Sequence, residues 1–457
     1  MTRCDTACAE HALLSRRRLL TGSAASLALW SFVPKSAIAG TRDPRLLLVV
    51  LRGGLDGISM LAPVGDPEYQ NLRGNLAIPA TGNGAGLPID SMFALNSKMP
   101  FLHGLIQKKQ ALGVHAVATP YRGRSHFDGQ DVLESGFPGA GRIEDGWLNR
   151  ALAGLPSAGS AAPKKGLAMG AVVPLVMRGQ APVLSWIPKT YNLPLRESTI
   201  ARLNDLYGVT DAKLAKAFAE GLEIDRISTS AYAVAPAVNA PAQAAVAQPA
   251  ANPAMAPGMP PATSASPATP APQPAAPKAA SPPQRQFRDF VDAAEAAAKF
   301  LASPEGPRIG ALSYGGWDTH ANEGVIQGQL GNRLAGLDAA IQALHDGLGA
   351  AWKETIIVIA TEFGRTARVN GTEGTDHGTG MAALLVGGAV KGGRVIADWP
   401  GLGERALYEN RDLKPTMDLR VVLKGVLRDH LGIPDGALGK TVFPDSAGAK
   451  ALDGLVG

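Results

Sequence analysis

Cysteine is nearly missing from this 457-residue chain, and its two cysteines, Cys4 and Cys8, both fall within the first ten residues. Past them the chain can form no disulfide, offers no thiol nucleophile and holds no thiolate-bound metal. Any metal must therefore sit on carboxylate, imidazole or hydroxyl oxygen. Long apolar runs are missing as well. After the N-terminal region no segment reaches 18 apolar residues without a break, so no permanent membrane span is expected. Excess charge of one sign is also lacking. The chain has 44 basic and 39 acidic residues, but five basic and two acidic lie in residues 1–39, leaving 39 against 37 and a net of +2. No basic stripe remains, so a pI near 9.1 argues for no nucleic-acid partner. A G-x-G-x-x-G string after a strand is absent too, which counts against a dinucleotide-dependent oxidoreductase.

What is present starts at the N-terminus. Ser15-Arg16-Arg17-Arg18-Leu19-Leu20-Thr21 reads as a twin-arginine box. A weakly apolar run from Gly22 to Val33 follows, and Ala37-Ile38-Ala39 forms a small-x-small cleavage site. Residues 1–39 are thus expected to be a twin-arginine signal peptide, with the twin-arginine translocon as partner and a periplasmic or secreted destination. About 418 residues then remain. From Ser230 to Pro283 the chain is almost entirely Ala, Pro, Gln, Ser and Val, with Lys278 its one charge. Repeated prolines block helix and sheet ladders, and alanine alone cannot offset the entropy of ordering. Residues 230–284 therefore read as a disordered Pro/Ala-rich insertion, splitting one domain into parts 40–229 and 285–457.

Both parts carry short apolar runs of strand type: 46–51, 111–117, 167–173, 308–313, 355–360 and 381–386. Most are continuous rather than alternating, as in strands covered on both faces. Helical periodicity lies between them, at 287–301, 330–348 and 418–431. This alternation predicts an α/β fold with a mostly parallel central sheet and helices on both faces. In such folds chemistry gathers at the C-terminal ends of strands.

Five clusters follow predicted strands: Arg52 to Gly57, Arg124 to Asp128, Gly315 to His320, Thr361 to Arg365, and Gly374 to Gly378. Each holds an acid, an imidazole or both. Such donors suit a divalent ion such as Zn, Mn, Mg or Ca. Asp318 and His320 alternate, so an extended stretch turns both to one side. Arg52, Arg124 and Arg365 are candidate clamps for a phosphate or sulfate. Singly, each cluster has a plainer explanation. Asp56-Gly57 is a common turn, Glu362 and Arg365 can form a surface ion pair, and Asp376 can bond its own loop. His103, His115, His345 and His430 read as structural or surface residues. It is the convergence of five clusters on one edge that argues for a site.

The strings LRGGLDGISMLAP, RSHFDGQDVLESG, GWLNR, GGWDTH, TEFGRTARVNGTEGTDHGTG and KGVLRDHLG resemble the bacterial domain-of-unknown-function family 1501. The resemblance covers nearly the whole chain after residue 39 except the insertion. It implies export by the twin-arginine route and an alkaline phosphatase/sulfatase-like fold with a site for one or two metals. By that likeness Asp318, His320 and His377, joined by Asp376, form one metal site. Asp56, Glu362 and the Ser125 oxygen form the other, although Phe363 stands where the superfamily places a second imidazole. Ser125 takes the nucleophile's position beside Arg124. The activity so implied is metal-dependent hydrolysis of phosphate or sulfate esters, on a small-molecule or polymeric anionic substrate. The alternative is a non-catalytic periplasmic protein that keeps the fold for binding or envelope assembly.

Overall fold

The computed structural model describes residues 42–141, 143–155, 166–170, 172–186, 197–210, 214–216, 218–219, 221–222 and 282–457. The expected signal segment and positions 230–281 of the expected insertion lie outside the described residues. Among the described residues there are twelve strands: β1 (Arg45–Arg52), β2 (Leu61–Ala62), β3 (Leu87–Pro88), β4 (Ala94–Leu95), β5 (Ala111–Ala118), β6 (Gly166–Met169), β7 (Val183–Trp186), β8 (Ile309–Gly315), β9 (Thr355–Thr361), β10 (Met381–Val386), β11 (Val395–Ile396) and β12 (Met417–Asp418). Nine of them form one sheet in the order β11-β5-β10-β9-β1-β8-β6-β7, with β12 also on β5. β2, β4 and β3 form a small separate sheet.

β1 lies at the centre because its run of six aliphatic residues can be buried on both faces. Leu46 pairs with Ile309 of β8 on one side and Ile356 of β9 on the other, both parallel. Leu47, Val49 and Leu51 enter a core shared with the helices Pro100–Gln107, Pro282–Ala302 and Gln329–Leu348. Leu46, Leu48 and Val50 enter the opposite core, against Trp147–Ala153 and Leu419–Leu431. No residue from Leu46 to Leu51 is more than 1% exposed. Burial of this kind contributes roughly 1.5–3 kcal/mol per large aliphatic side chain. The result is the expected α/β fold: a mostly parallel sheet between two helical layers. β10 is antiparallel to both β9 and β5.

This topology positions the site. β1, β5, β8 and β9 all point their C-terminal ends at one edge, and β10 starts from that same edge. The loops after β1, β5, β8 and β9 therefore meet there. Close approach of the first and third needs a glycine: Gly53 has φ +120°, and a Cβ on it would lie 2.6 Å from the Asp318 backbone nitrogen. Among the described residues no helix is long and apolar enough to cross a membrane.

Candidate metal centre

Asp318, in the loop after β8, is the hub. His126, at the start of the helix His126–Ser135, and His377, in the loop leading to β10, join it so that one donor atom of each lies within 4.8 Å of the others. His320 flanks this trio, its Nε2 3.0 Å from Asp318 Oδ1 and 3.0 Å from His377 Nε2. His377 Nε2 is 3.1 Å from Asp318 Oδ1, and His126 Nε2 is 3.3 Å from Asp318 Oδ2. A bridge between Arg365 and His377 folds the β9–β10 loop back on itself, which brings its far end to the hub.

The outer nitrogens of the three imidazoles decide what the inner ones offer. His126 Nδ1 lies 2.8 Å from Glu362 Oε1, His320 Nδ1 3.1 Å from Asp376 Oδ1, and His377 Nδ1 2.9 Å from the Arg124 carbonyl. Each partner is an acceptor, so each Nδ1 carries its hydrogen outward and each neutral ring turns an Nε2 lone pair inward. The inner faces of His126 and His377 turn to the Asp318 carboxylate with His320 beside them, an arrangement that calls for positive charge. His126 Nε2 is buried and has a long contact to Asp318 Oδ2. Its ring is more basic than usual, first through the Glu362 hydrogen bond and then, against the opposing effect of burial, through the charges of Glu362 and Asp318. His377 is made less basic, by burial and by the nearby His126. Burial opposes ionisation of Asp318, but the Arg365 hydrogen bond and charge, with His320 and His126, outweigh it and hold the carboxyl below its ordinary range.

The sequence-predicted residues fall into two groups. Asp318, His320 and His377 come together at the hub. Asp376 stands behind His320, bonded also to Asn370 Nδ2 at 3.1 Å. Glu362 is fully buried behind His126: Oε1 accepts from Gly53 N–H at 2.8 Å, from His126 Nδ1 and from Gln130 at 3.2 Å, and Oε2 accepts from Thr361 Oγ1 at 2.9 Å. Asp56 is away from the hub. It caps the short helix Gly57–Met60 and pairs with Arg73. The two-site grouping implied by resemblance therefore does not appear in this geometry: Glu362 and Asp56 point at different partners, and the Phe363 ring packs 4.8 Å from His126 and 5.2 Å from His377.

The three expected anion clamps each hold a carboxylate instead. Arg365 reaches Asp318 at 2.6 Å and Thr375, Arg124 reaches Asp412 at 2.8 Å and Glu409 at 2.6 Å, and Arg52 reaches Glu134 at 2.5 Å. Arg124 has φ +60°, and that left-handed turn presents its carbonyl to His377. Ser125 is the N-cap of the His126 helix by position, but its hydroxyl makes no capping bond. His126 is not among the expected ligands, although it sits one residue from Ser125 at the end of a strand-to-helix loop. That position was the available signal.

Comparison with known proteins completes the picture. No curated protein matches the chain. The solved structure named Ps i-CgsB is 11% identical, with a TM-score of 0.34, over 89% of this chain and 77% of that one. The structure of BT1596, a 2-O GAG sulfatase, is 10% identical, with a TM-score of 0.26, over 76% of this chain and 65% of that one. Residues 107–440 match the family described as "Protein of unknown function (DUF1501)", and the chain belongs to that family.

Proposed function

We propose that this protein is exported by the twin-arginine route and hydrolyses an anionic phosphate or sulfate ester at a centre holding a divalent metal. The observation that carries the reading is the shared orientation of three imidazoles. Each sets its Nδ1 against an outer acceptor and its Nε2 beside the Asp318 carboxylate. The donors fit a metal: His126, His377 and Asp318 bring two imidazoles and a carboxylate together with His320 beside them, and the buried His126 Nε2, 3.3 Å from Asp318 Oδ2, is available as a ligand atom. Three imidazoles favour zinc or a similar borderline ion over magnesium or calcium. When bound, such an ion supplies Lewis-acid polarisation of the ester and lowers the pKa of a coordinated hydroxyl.

The chain's own residues supply the rest. Ser125 is the nucleophile, at the N-terminus of a ten-residue helix whose dipole and free N–H groups favour an oxyanion. Its oxygen bonds to phosphorus or sulfur as the alcohol leaves carrying the proton that the hydroxyl gives up, and water later cleaves that bond, releasing phosphate or sulfate and restoring the Ser125 hydroxyl. Glu362, Asp376 and the Arg124 carbonyl hold the imidazoles in register. Arg365 orients Asp318 and keeps it ionised. A non-catalytic binding or envelope-assembly role is the second reading, favoured because all three candidate clamps are engaged with carboxylates and so are not free to hold a substrate anion.

The test pairs two variants of the full chain. Ser125→Ala should retain metal but lose turnover on p-nitrophenyl phosphate or sulfate, whereas His377→Ala should lose both. Full turnover by Ser125→Ala overturns the nucleophile. Metal bound with no turnover on an ester panel by the parent protein favours the binding role.

A further inference from the structure

We infer that the centre takes one metal ion, because the guanidinium of Arg73 already serves as the second cation. This deepens the metal-hydrolase reading and rests on it. The resemblance implies a second metal on Asp56, Glu362 and a hydroxyl, and the residues present do not fit one. Asp56 is fully buried, and both its oxygens are engaged: Oδ1 accepts from Ile58 and Ser59 N–H at 3.2 and 3.4 Å, and Oδ2 meets Arg73. Glu362 Oε1 is taken by three donors, and its Oε2 is buried against the Thr361 hydroxyl. Phe363 fills the place of an imidazole with an apolar ring.

Arg73 is fully buried and built in from several sides. Besides Asp56 it donates to Ser59 Oγ at 2.7 Å and to the carbonyls of Thr366 and Ala367, each at 3.2 Å. The last two contacts tie it to the same β9–β10 loop that delivers Asp376 and His377. A second acid, Glu323, is buried beside this pair and accepts from the Thr375 hydroxyl at 2.8 Å. Its other oxygen finds no N–H or hydroxyl donor. A proton shared between Glu323 and Asp56 resolves that, and burial together with the Asp56 charge pushes Glu323 up to about 8. One anion then faces one cation. The pocket is locally neutral, and a divalent ion entering it would leave buried positive charge without compensation. From Glu323 the contacts run through Thr375 and Arg365 to Asp318, so the filled pocket adjoins the metal centre without supplying it a ligand.

The experiment is metal stoichiometry of the full chain, loaded separately with zinc and with manganese, freed of excess ion and assayed by plasma mass spectrometry. One equivalent per chain is expected, and the manganese form should give the six-line spectrum of an isolated ion. Two equivalents, or an exchange-coupled spectrum, overturn the inference while leaving the metal reading intact. No retained metal removes both. Asp56→Asn provides a second measurement on the folded variant: zinc affinity should stay within about threefold of the parent, because Asp56 is not a ligand. A loss of a hundredfold or more with the stoichiometry falling below one contradicts that.

Discussion

Glu362→Gln isolates the support behind one imidazole. The buried Glu362 carboxylate accepts the His126 Nδ1 hydrogen at 2.8 Å and also receives Gly53, Gln130 and Thr361. Glutamine keeps the shape but removes the charge and replaces one acceptor oxygen with a donor amide. The amide can turn its nitrogen toward His126, and the ring then loses the contact that points its Nε2 lone pair at Asp318. Loss of such an orienting carboxylate typically weakens metal binding by about 10–100-fold, or roughly 1.4–2.7 kcal/mol. Competition against a fluorescent zinc chelator at neutral pH measures this directly. Gln130→Ala, which touches Glu362 at 3.2 Å without touching the His126 hydrogen bond, is the control and should cost less than about threefold. A Glu362→Gln protein that holds zinc within about twofold of the parent refutes the orienting role. A loss well beyond a hundredfold would instead make Glu362 a direct ligand.

Two further outcomes are expected. Glu323 holds its proton to about 8 in the folded chain, while the unfolded chain releases it near the ordinary glutamate value. Its contribution is thus fully present below about 4.5 and declines as pH rises toward 8, because the unfolded state then binds fewer protons. Glu323→Gln cannot ionise, so calorimetry should find the variant's Tm gaining on the parent's from pH 5 to pH 8; parallel curves contradict the buried protonated acid. Changing Arg16 and Arg17 together to Lys should leave the precursor in the cytoplasm on cell fractionation, and normal export of that variant rejects the twin-arginine route.

Much of the fold was legible because the central strands are buried on both faces and so read as unbroken aliphatic runs. Leu46 to Leu51 is the plainest case, and β5, β9 and β10 match their predicted runs to within a residue. The helix at 419–431 was legible from its period, with Asp418 as a capping residue that accepts from Arg420 N–H at 2.9 Å and Gly432 closing it at φ +72°. The reversed direction of β10 was not legible, since an apolar run looks the same in either sense. The two-residue strands β11 and β12 carry no pattern long enough to register. β6 ends at Met169, short of the predicted 173. At the site, Asp318, His320 and His377 were found because strand ends mark them. Arg73 and Glu323 were missed because neither belongs to one of the clusters, Glu323 standing three residues past His320 in the loop after β8, and only tertiary folding brings them to Asp56. Glu362 was found, but its direction was not, since a carboxylate after a strand can serve as a ligand or stand behind one.

The central claim is that His126, Asp318, His320 and His377 enclose one metal ion. Anomalous diffraction from crystals of the zinc-loaded protein, measured on either side of the zinc edge, tests it most directly. The account predicts one strong peak per chain among the three Nε2 atoms and the Asp318 carboxylate, at roughly 2.0–2.2 Å from its ligands. A peak on Asp56 or Glu362, or none among the three imidazoles, would contradict it.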